Sequence, residues 1–179
     1  MLCDHSKLFM QIPNPRFFRK EEKELARVQR RLSKTEKGTV ERRNRIRVVR
    51  RVHERIANKR MDFVHQLSRS LVNEYGVIAF EDLNIKGMMR NHRLAKSIGD
   101  AAWNMLITVT KYKAESAGTV VTLVNPAYTS KLCSRCGLLV EKELSDRTHE
   151  CPGCDLVMDR DENAAVNILR LGLQSVAKA

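Results

Sequence analysis

The sequence predicts an α/β sheet domain with a small metal-binding module inserted into it. Two apolar runs, at 76–80 and 119–124, follow helical patterns and read as buried strands. Four cysteines, Cys133, Cys136, Cys151 and Cys154, lie between the second run and a last helical pattern. Strands alternating with helices imply an α/β sheet.

Bulk properties narrow the partner. The 179 residues carry a formal charge of +12, with 42% hydrophobic and only 5% aromatic residues. Such a balance suits a polyanion, either nucleic acid or an anionic membrane surface. No apolar run approaches the roughly 18 residues needed to cross a bilayer. The start, MLCDHSKLFMQ, lacks the basic and apolar regions of a secretory signal. The expectation is an intracellular, cytoplasmic protein with no membrane association, whose polyanion is nucleic acid. In a reducing compartment five cysteines argue against a disulfide framework. Four are arranged for metal, and Cys3 is left over as a free thiol.

The elements follow in order. Ile12-Pro13-Asn14-Pro15 makes a turn or extended loop. A first helix is predicted over 19–32. A break at Gly38 follows, flanked by Thr35 and Thr39, and a long helix begins near Glu41. Val49, Val52, Ile56, Phe63, Leu67 and Leu71 recur at helical spacing and form its apolar stripe. The strand at 76–80 is closed by Glu81-Asp82. After a loop at Gly87, one helix is predicted over 95–117, with Ala102, Leu106, Val109 and Tyr112 on its inner face. Gly118 is its C-cap. The strand at 119–124 ends at Asn125-Pro126. The last helix is predicted over 161–171. The domain reading is 1–127 for the main portion, 128–156 for the cysteine module, and 157–179 for the final helix and tail.

Cys133-Ser-Arg-Cys136-Gly137 and Cys151-Pro-Gly-Cys154 are two CxxC turns. Two intervening residues let both sulfurs of a turn face one ion while backbone N–H groups face the sulfurs. Gly137 and Pro152-Gly153 permit the tight geometry. The stretch 138–150 is long enough for a short hairpin, giving a zinc ribbon. Four thiolates leave no open position, so the expected Zn2+ is structural.

Two carboxylates stand at element ends. Glu81 closes an apolar strand, where open α/β sheets place functional groups. Asp161 stands where the last helix begins, in Asp159-Arg160-Asp161-Glu162-Asn163-Ala164-Ala165. Singly, Glu81 reads as an exposed strand-end charge and Asp161 as an N-cap. Together, in a basic protein, they suit magnesium-assisted phosphodiester chemistry, because hard cations need several carboxylate oxygens. Asp82 and Asp159 are neighbouring alternatives, but strand alternation points Asp82 to the opposite face.

Between Arg16 and Arg60 lie 18 of the 33 Lys and Arg residues, against six Glu and no Asp. Arg42, Arg43, Arg45, Arg47, Arg50 and Arg51 fall on the outer side of the long helix. Glu24, Glu41 and Glu54 are too few to neutralise them. An arginine stripe suits phosphate contacts along a duplex, and the scarcity of aromatics argues against base stacking.

Three segments resemble the signatures of the TnpB family, also called OrfB transposases. They are Glu81-Asp82-Leu83-Asn84-Ile85 after an apolar strand, 128–137 (YTSKLCSRCG), and 159–168 (DRDENAAVNI). The likeness runs from Ile12 to Gly172. These proteins are encoded by bacterial and archaeal insertion sequences and are similar to the compact effector nucleases of type V CRISPR systems. The resemblance implies a RuvC-like domain of the RNase H fold, guided by RNA from the transposon end and cutting DNA with Mg2+. It places two of the family's three acidic ligands at Glu81 and Asp161. The first belongs to an Asp-x-Gly segment well upstream of Ile-Pro-Asn-Pro. Here only eleven residues precede Ile12, none forms Asp-x-Gly, and Asp4 is the one aspartate among them. The family's N-terminal recognition and helix-turn-helix regions have no counterpart either. The resemblance therefore implies an N-terminally truncated, catalytically impaired member. The alternative is a non-catalytic zinc-ribbon protein that binds nucleic acid. A zinc-ribbon scaffold for protein partners would have no need of the +12 charge.

Overall fold

The computed structural model describes residues 12–91, 95–143 and 145–178, so Cys3 and Asp4 lie outside the described residues. The α/β expectation holds. The elements run α1 (Phe17–Ser33), α2 (Val40–Glu74), β1 (Val77–Glu81), α3 (Ile85–Met88), α4 (Ala95–Ala101), α5 (Trp103–Ala117), β2 (Val120–Val124), β3 (Thr148–Glu150), β4 (Val157–Asp159) and α6 (Arg160–Val176). They group into two compact units, one of Val72–Leu83 and Ala114–Ala179, the other of Pro13–Leu71 and Asn84–Lys113.

In the first unit β1 and β2 pair in parallel, from Val77↔Val120 to Glu81↔Val124. The apolar runs pair because each offers Val, Ile or Leu to a common layer. Their burial is less complete than expected. Ile78 and Val124 are buried, but Val120 and Leu123 are 43% and 36% exposed. Among the described residues this sheet has two strands, each an edge, so neither is enclosed by described strands on both sides. Gly118, with φ 73°, provides the left-handed residue between α5 and β2.

Helix α6 packs on this sheet through Gly172. A Cβ there would lie 2.6 Å from the Ala79 Cβ and 3.0 Å from the Thr122 Cγ2, so only glycine allows the approach. One turn on, the Ser175 and Thr122 hydroxyls bond at 2.8 Å. Further back along the helix, Asn167 bonds to the loop that follows β2. Helix α6 therefore runs antiparallel to the strands, with its N-terminus toward their C-terminal ends. It is longer at both ends than the predicted 161–171.

The second unit is helical. Leu25 and Val28 of α1 pack with Val52 and Ile56 of α2, flanked by Phe17, Phe18 and Val49. Phe17 and Phe63 meet edge to face, with centroids 6.1 Å apart. The predicted stripe on α2 holds at Val52 and Ile56 and then rotates. Val64 and Ser68 are fully buried, while Phe63 and Leu67 are half-buried. The rotation follows from 3.6 residues per turn, which carries a strict fourfold or sevenfold spacing off the contact line.

The single helix predicted over 95–117 is two helices. Ala102 adopts φ 54° and separates α4 from α5. Ala102 is thus a break and not an inner-face residue, and Tyr112 is 48% exposed, whereas Val109 is buried. Gly87 lies within the short α3, where its N–H is accepted by Asn84 Oδ1 at 2.9 Å. Just before the break, Asp100 is buried and accepts from Phe18 N (2.8 Å), Arg19 N (3.2 Å) and Arg60 Nη2 (3.2 Å). Helix α1 has no side-chain cap of its own, and Asp100 supplies one from α4.

Candidate metal centre and carboxylate edge

The four cysteines converge. Their sulfurs all lie within 4.8 Å of one another, with Cys133–Cys154 at 3.6 Å and Cys136–Cys151 at 3.5 Å. Tetrahedral zinc with Zn–S bonds of about 2.3 Å requires sulfurs about 3.8 Å apart, so the donor set fits that ion in number, type and spacing. Among the described residues this is the one cluster of three or more such ligands.

The two turns are built alike. Cys133 N donates to Leu138 O, and Gly137 N to Cys133 O, both at 2.9 Å. Cys151 N donates to Leu156 O, and Asp155 N to Cys151 O, also at 2.9 Å. Gly137 and Asp155 both have positive φ, 78° and 54°. The strands of the module differ from the expected hairpin over 138–150. β3 pairs antiparallel with β4 across the second turn, and the first turn is closed by a bridge between Leu132 and Leu139. Each pairing closes one cysteine turn, so the ladder brackets the sulfurs instead of bridging between them.

Electrostatics within the cluster separate the thiols. Burial alone pushes Cys133 up, but the backbone N–H groups of Cys136 and Arg135, with His149 and Cys151, outweigh it and bring the pKa to about 5. Cys154 is pushed up to about 12, by burial first and then by the neighbouring sulfurs. A bound metal would displace the remaining protons. His149, fully buried with its Nδ1 2.6 Å from Lys142 Nζ, escaped the sequence reading. Its position two residues before Cys151 was the available signal.

Glu81 and Asp161 both belong to the sheet unit. Glu81 ends β1, half-buried, and its Oε1 accepts from the Thr129 hydroxyl at 2.7 Å. Asp161 lies in the first turn of α6, and its side chain is 61% exposed. It is not the N-cap. Asp159 caps the helix, accepting from Asp161 N at 2.8 Å and Glu162 N at 3.2 Å. Asp161 Oδ1 accepts from Arg160 Nε at 3.1 Å. The antiparallel run of α6 turns its first turn, which carries Asp161, toward the C-terminal end of the sheet, the end at which Glu81 closes β1. Asp82, exposed, donates its N–H to Val124 O at 2.8 Å and continues the ladder.

The arginines divide. Arg42 is half-buried, and its Nη1 donates to Thr35 O (2.9 Å) and Leu32 O (3.4 Å), closing the C-terminal end of α1. Arg45 pairs with Glu41 at 3.3 Å, and Arg47 donates to Asn44 Oδ1 at 3.5 Å. Arg43, Arg50 and Arg51 are exposed and make no ion pair among the described residues. No described helix is long and apolar enough to cross a membrane.

Comparison with known proteins joins these features. Residues 2–92 match the family OrfB_IS605, described as a probable transposase. Residues 103–168 match the Cas12f1-like TNB domain. A Streptomyces pristinaespiralis protein, named as a candidate RNA-guided DNA endonuclease, is 40% identical over 168 residues, covering 93% of this chain and 42% of its own length. InsQ of Escherichia coli K12, named in the same terms, is 34% identical over 171 residues, covering 87% of this chain and 42% of InsQ. The TnpB-like protein MJ1635 of Methanocaldococcus jannaschii is 33% identical over 133 residues, covering 73% of this chain and 31% of its own. The chain thus spans less than half the length of these relatives. In fold it resembles a protein chain of the cryo-EM Cas12f1–sgRNA–target DNA complex, with a TM-score of 0.57 and 21% identity over 89% of this chain and 43% of that one.

Proposed function

Because the chain belongs to the OrfB transposase family, whose relatives here include TnpB-like proteins, we propose that it is the carboxylate- and zinc-bearing part of an RNA-guided DNA endonuclease with a RuvC-like domain of the RNase H fold. In this reading Glu81 and Asp161 hold Mg2+, and Cys133, Cys136, Cys151 and Cys154 hold a structural Zn2+. Magnesium there would supply charge stabilisation at a scissile phosphodiester. The exposed Arg43, Arg50 and Arg51, with Arg47, contact the phosphates of a guide RNA–DNA duplex, which such proteins read by backbone shape. The observation that supports the reading is the direction of α6, whose first turn, with Asp161, faces the same end of the sheet at which Glu81 closes β1.

Two carboxylates are few for a two-metal centre, since the ions repel and need several anionic oxygens. Among the described residues neither Glu81 nor Asp161 belongs to a group of three or more such ligands. That observation favours a second reading, in which the chain by itself binds nucleic acid without cutting it. One experiment separates the two. The chain is given RNA transcribed from the transposon end, duplex DNA and Mg2+, and cutting is compared with Glu81→Gln and Asp161→Asn. Guided cutting lost in both variants supports the nuclease reading. Binding of RNA and DNA with no cutting by the unaltered chain supports the second. Cutting that survives both substitutions overturns the assignment of these residues.

A further inference from the structure

We propose that the base of the cysteine module positions Glu81, through a buried relay of Thr129, Asn167 and Asn163. The proposal rests on the reading of Glu81 as a metal ligand. Asn163 and Asn167 stand one turn apart on α6, at 0% and 1% exposure, so both amides face the same way. Both Nδ2 groups donate to Leu132 O at 2.7 Å, and Asn167 Nδ2 also donates to Thr129 O at 3.0 Å. Asn163 Oδ1 accepts from Ser134 N at 2.8 Å. Leu132 and Ser134 flank Cys133, so the two asparagines hold the backbone on either side of a thiolate. At the other end Thr129, 3% exposed, donates its hydroxyl to Glu81 Oε1.

The hydroxyl has two acceptors in reach, Glu81 Oε1 at 2.7 Å and Pro126 O at 3.1 Å. One hydroxyl proton serves the carboxylate better, because the bond is shorter and charge-assisted. A glutamate at a strand end otherwise loses rotamer entropy when it binds a cation. Fixing Oε1 presets the side chain, while Oε2 carries no hydrogen bond among the described residues and is left for a ligand. The relay is buried and each of its amide nitrogens has an acceptor, so a shift of the first cysteine turn must be carried to Thr129 or break a buried amide's hydrogen bond. Holding the ribbon alone would require nothing of Thr129. The hydroxyl bond to Glu81 makes the two sites mechanically continuous.

The test uses the whole chain with its zinc measured, Mn2+ as the probe followed by electron paramagnetic resonance, and amide hydrogen exchange. Thr129→Val and Asn167→Ala are expected to retain about one zinc equivalent yet weaken Mn2+ binding at least fivefold, with Thr129→Ser restoring it. Chelating zinc from the unaltered chain is expected to speed exchange over 127–132 at least tenfold. Mn2+ affinity within twofold of the unaltered chain in both variants, while Glu81→Gln abolishes binding, overturns the relay. If Glu81→Gln leaves Mn2+ binding unchanged, or the unaltered chain binds none, the ligand reading of Glu81 fails. The relay is then decided by exchange alone, and unchanged protection over 127–132 after zinc removal overturns it.

Discussion

Gly137 and Asp155 hold the same place in the two cysteine turns. Each follows the second cysteine of its turn, each has positive φ, and each donates its N–H to the first cysteine's carbonyl at 2.9 Å. Only one of them is glycine. An L-residue in the left-handed region costs roughly 1–2 kcal/mol, somewhat less for Asp. Asp155→Gly is therefore expected to stabilise the zinc-loaded module by up to about 1 kcal/mol, seen as slower zinc release to a chelator. Gly137→Ala should release zinc faster. Faster release from Asp155→Gly would show that the Asp155 side chain has a role its backbone does not explain.

The metal is expected at about one equivalent per chain, by elemental analysis. Cys151→Ser removes one of four thiolates from a buried position. A module with so few strand pairings takes much of its folding free energy from the ion, on the order of 10–16 kcal/mol. Zinc should be lost, along with protection of β3 and β4 in hydrogen exchange. Stoichiometric zinc in Cys151→Ser would refute the four-thiolate site.

Gly172→Ala reverses a common rule. In an exposed helix interior, exchanging Gly for Ala stabilises by about 1 kcal/mol. Here the added methyl meets Ala79 and Thr122, and overpacking of this kind costs about 1–3 kcal/mol. Urea denaturation should show a net loss of stability, with Gly172→Val worse. A gain would mean that α6 does not sit on β1 and β2 as described.

Asp100→Ala removes the cap of α1 and the partner of Arg60 together. Breaking a buried pair by deleting one member costs about 3–5 kcal/mol. Arg60 already has an unpartnered Nε. Asp100→Asn keeps an acceptor for the α1 N–H groups and should lose less. Equal losses would assign the whole effect to the charge.

The arginines of α2 should separate by role. Reversing Arg43, Arg47 and Arg50 to Glu is expected to flatten the salt dependence of duplex binding. The log–log slope on B-DNA is about −0.9 per phosphate contact. Arg42→Ala should instead lower stability, because Arg42 holds carbonyls at the end of α1. A salt-independent affinity in the unaltered chain would contradict phosphate binding altogether.

Much of this was legible without coordinates. The CxxC spacing specified four converging sulfurs, because two intervening residues leave a turn few other ways to run. The apolar runs at 76–80 and 119–124 specified paired strands, because that signal is local and survives any packing. What the sequence could not decide depended on distant neighbours. Ala102 breaks a helix although nothing in its composition forbids one, where Asp100 is drawn inward to cap α1. Arg42 reads like its neighbours until the end of α1 is placed beside it. Gly172 is an ordinary helical glycine until Ala79 comes against it. Thr129, Asn163 and Asn167 look like scattered polar residues. Only the packing of α6 on the loop after β2 aligns them, because a buried amide must find its partners wherever the fold puts them.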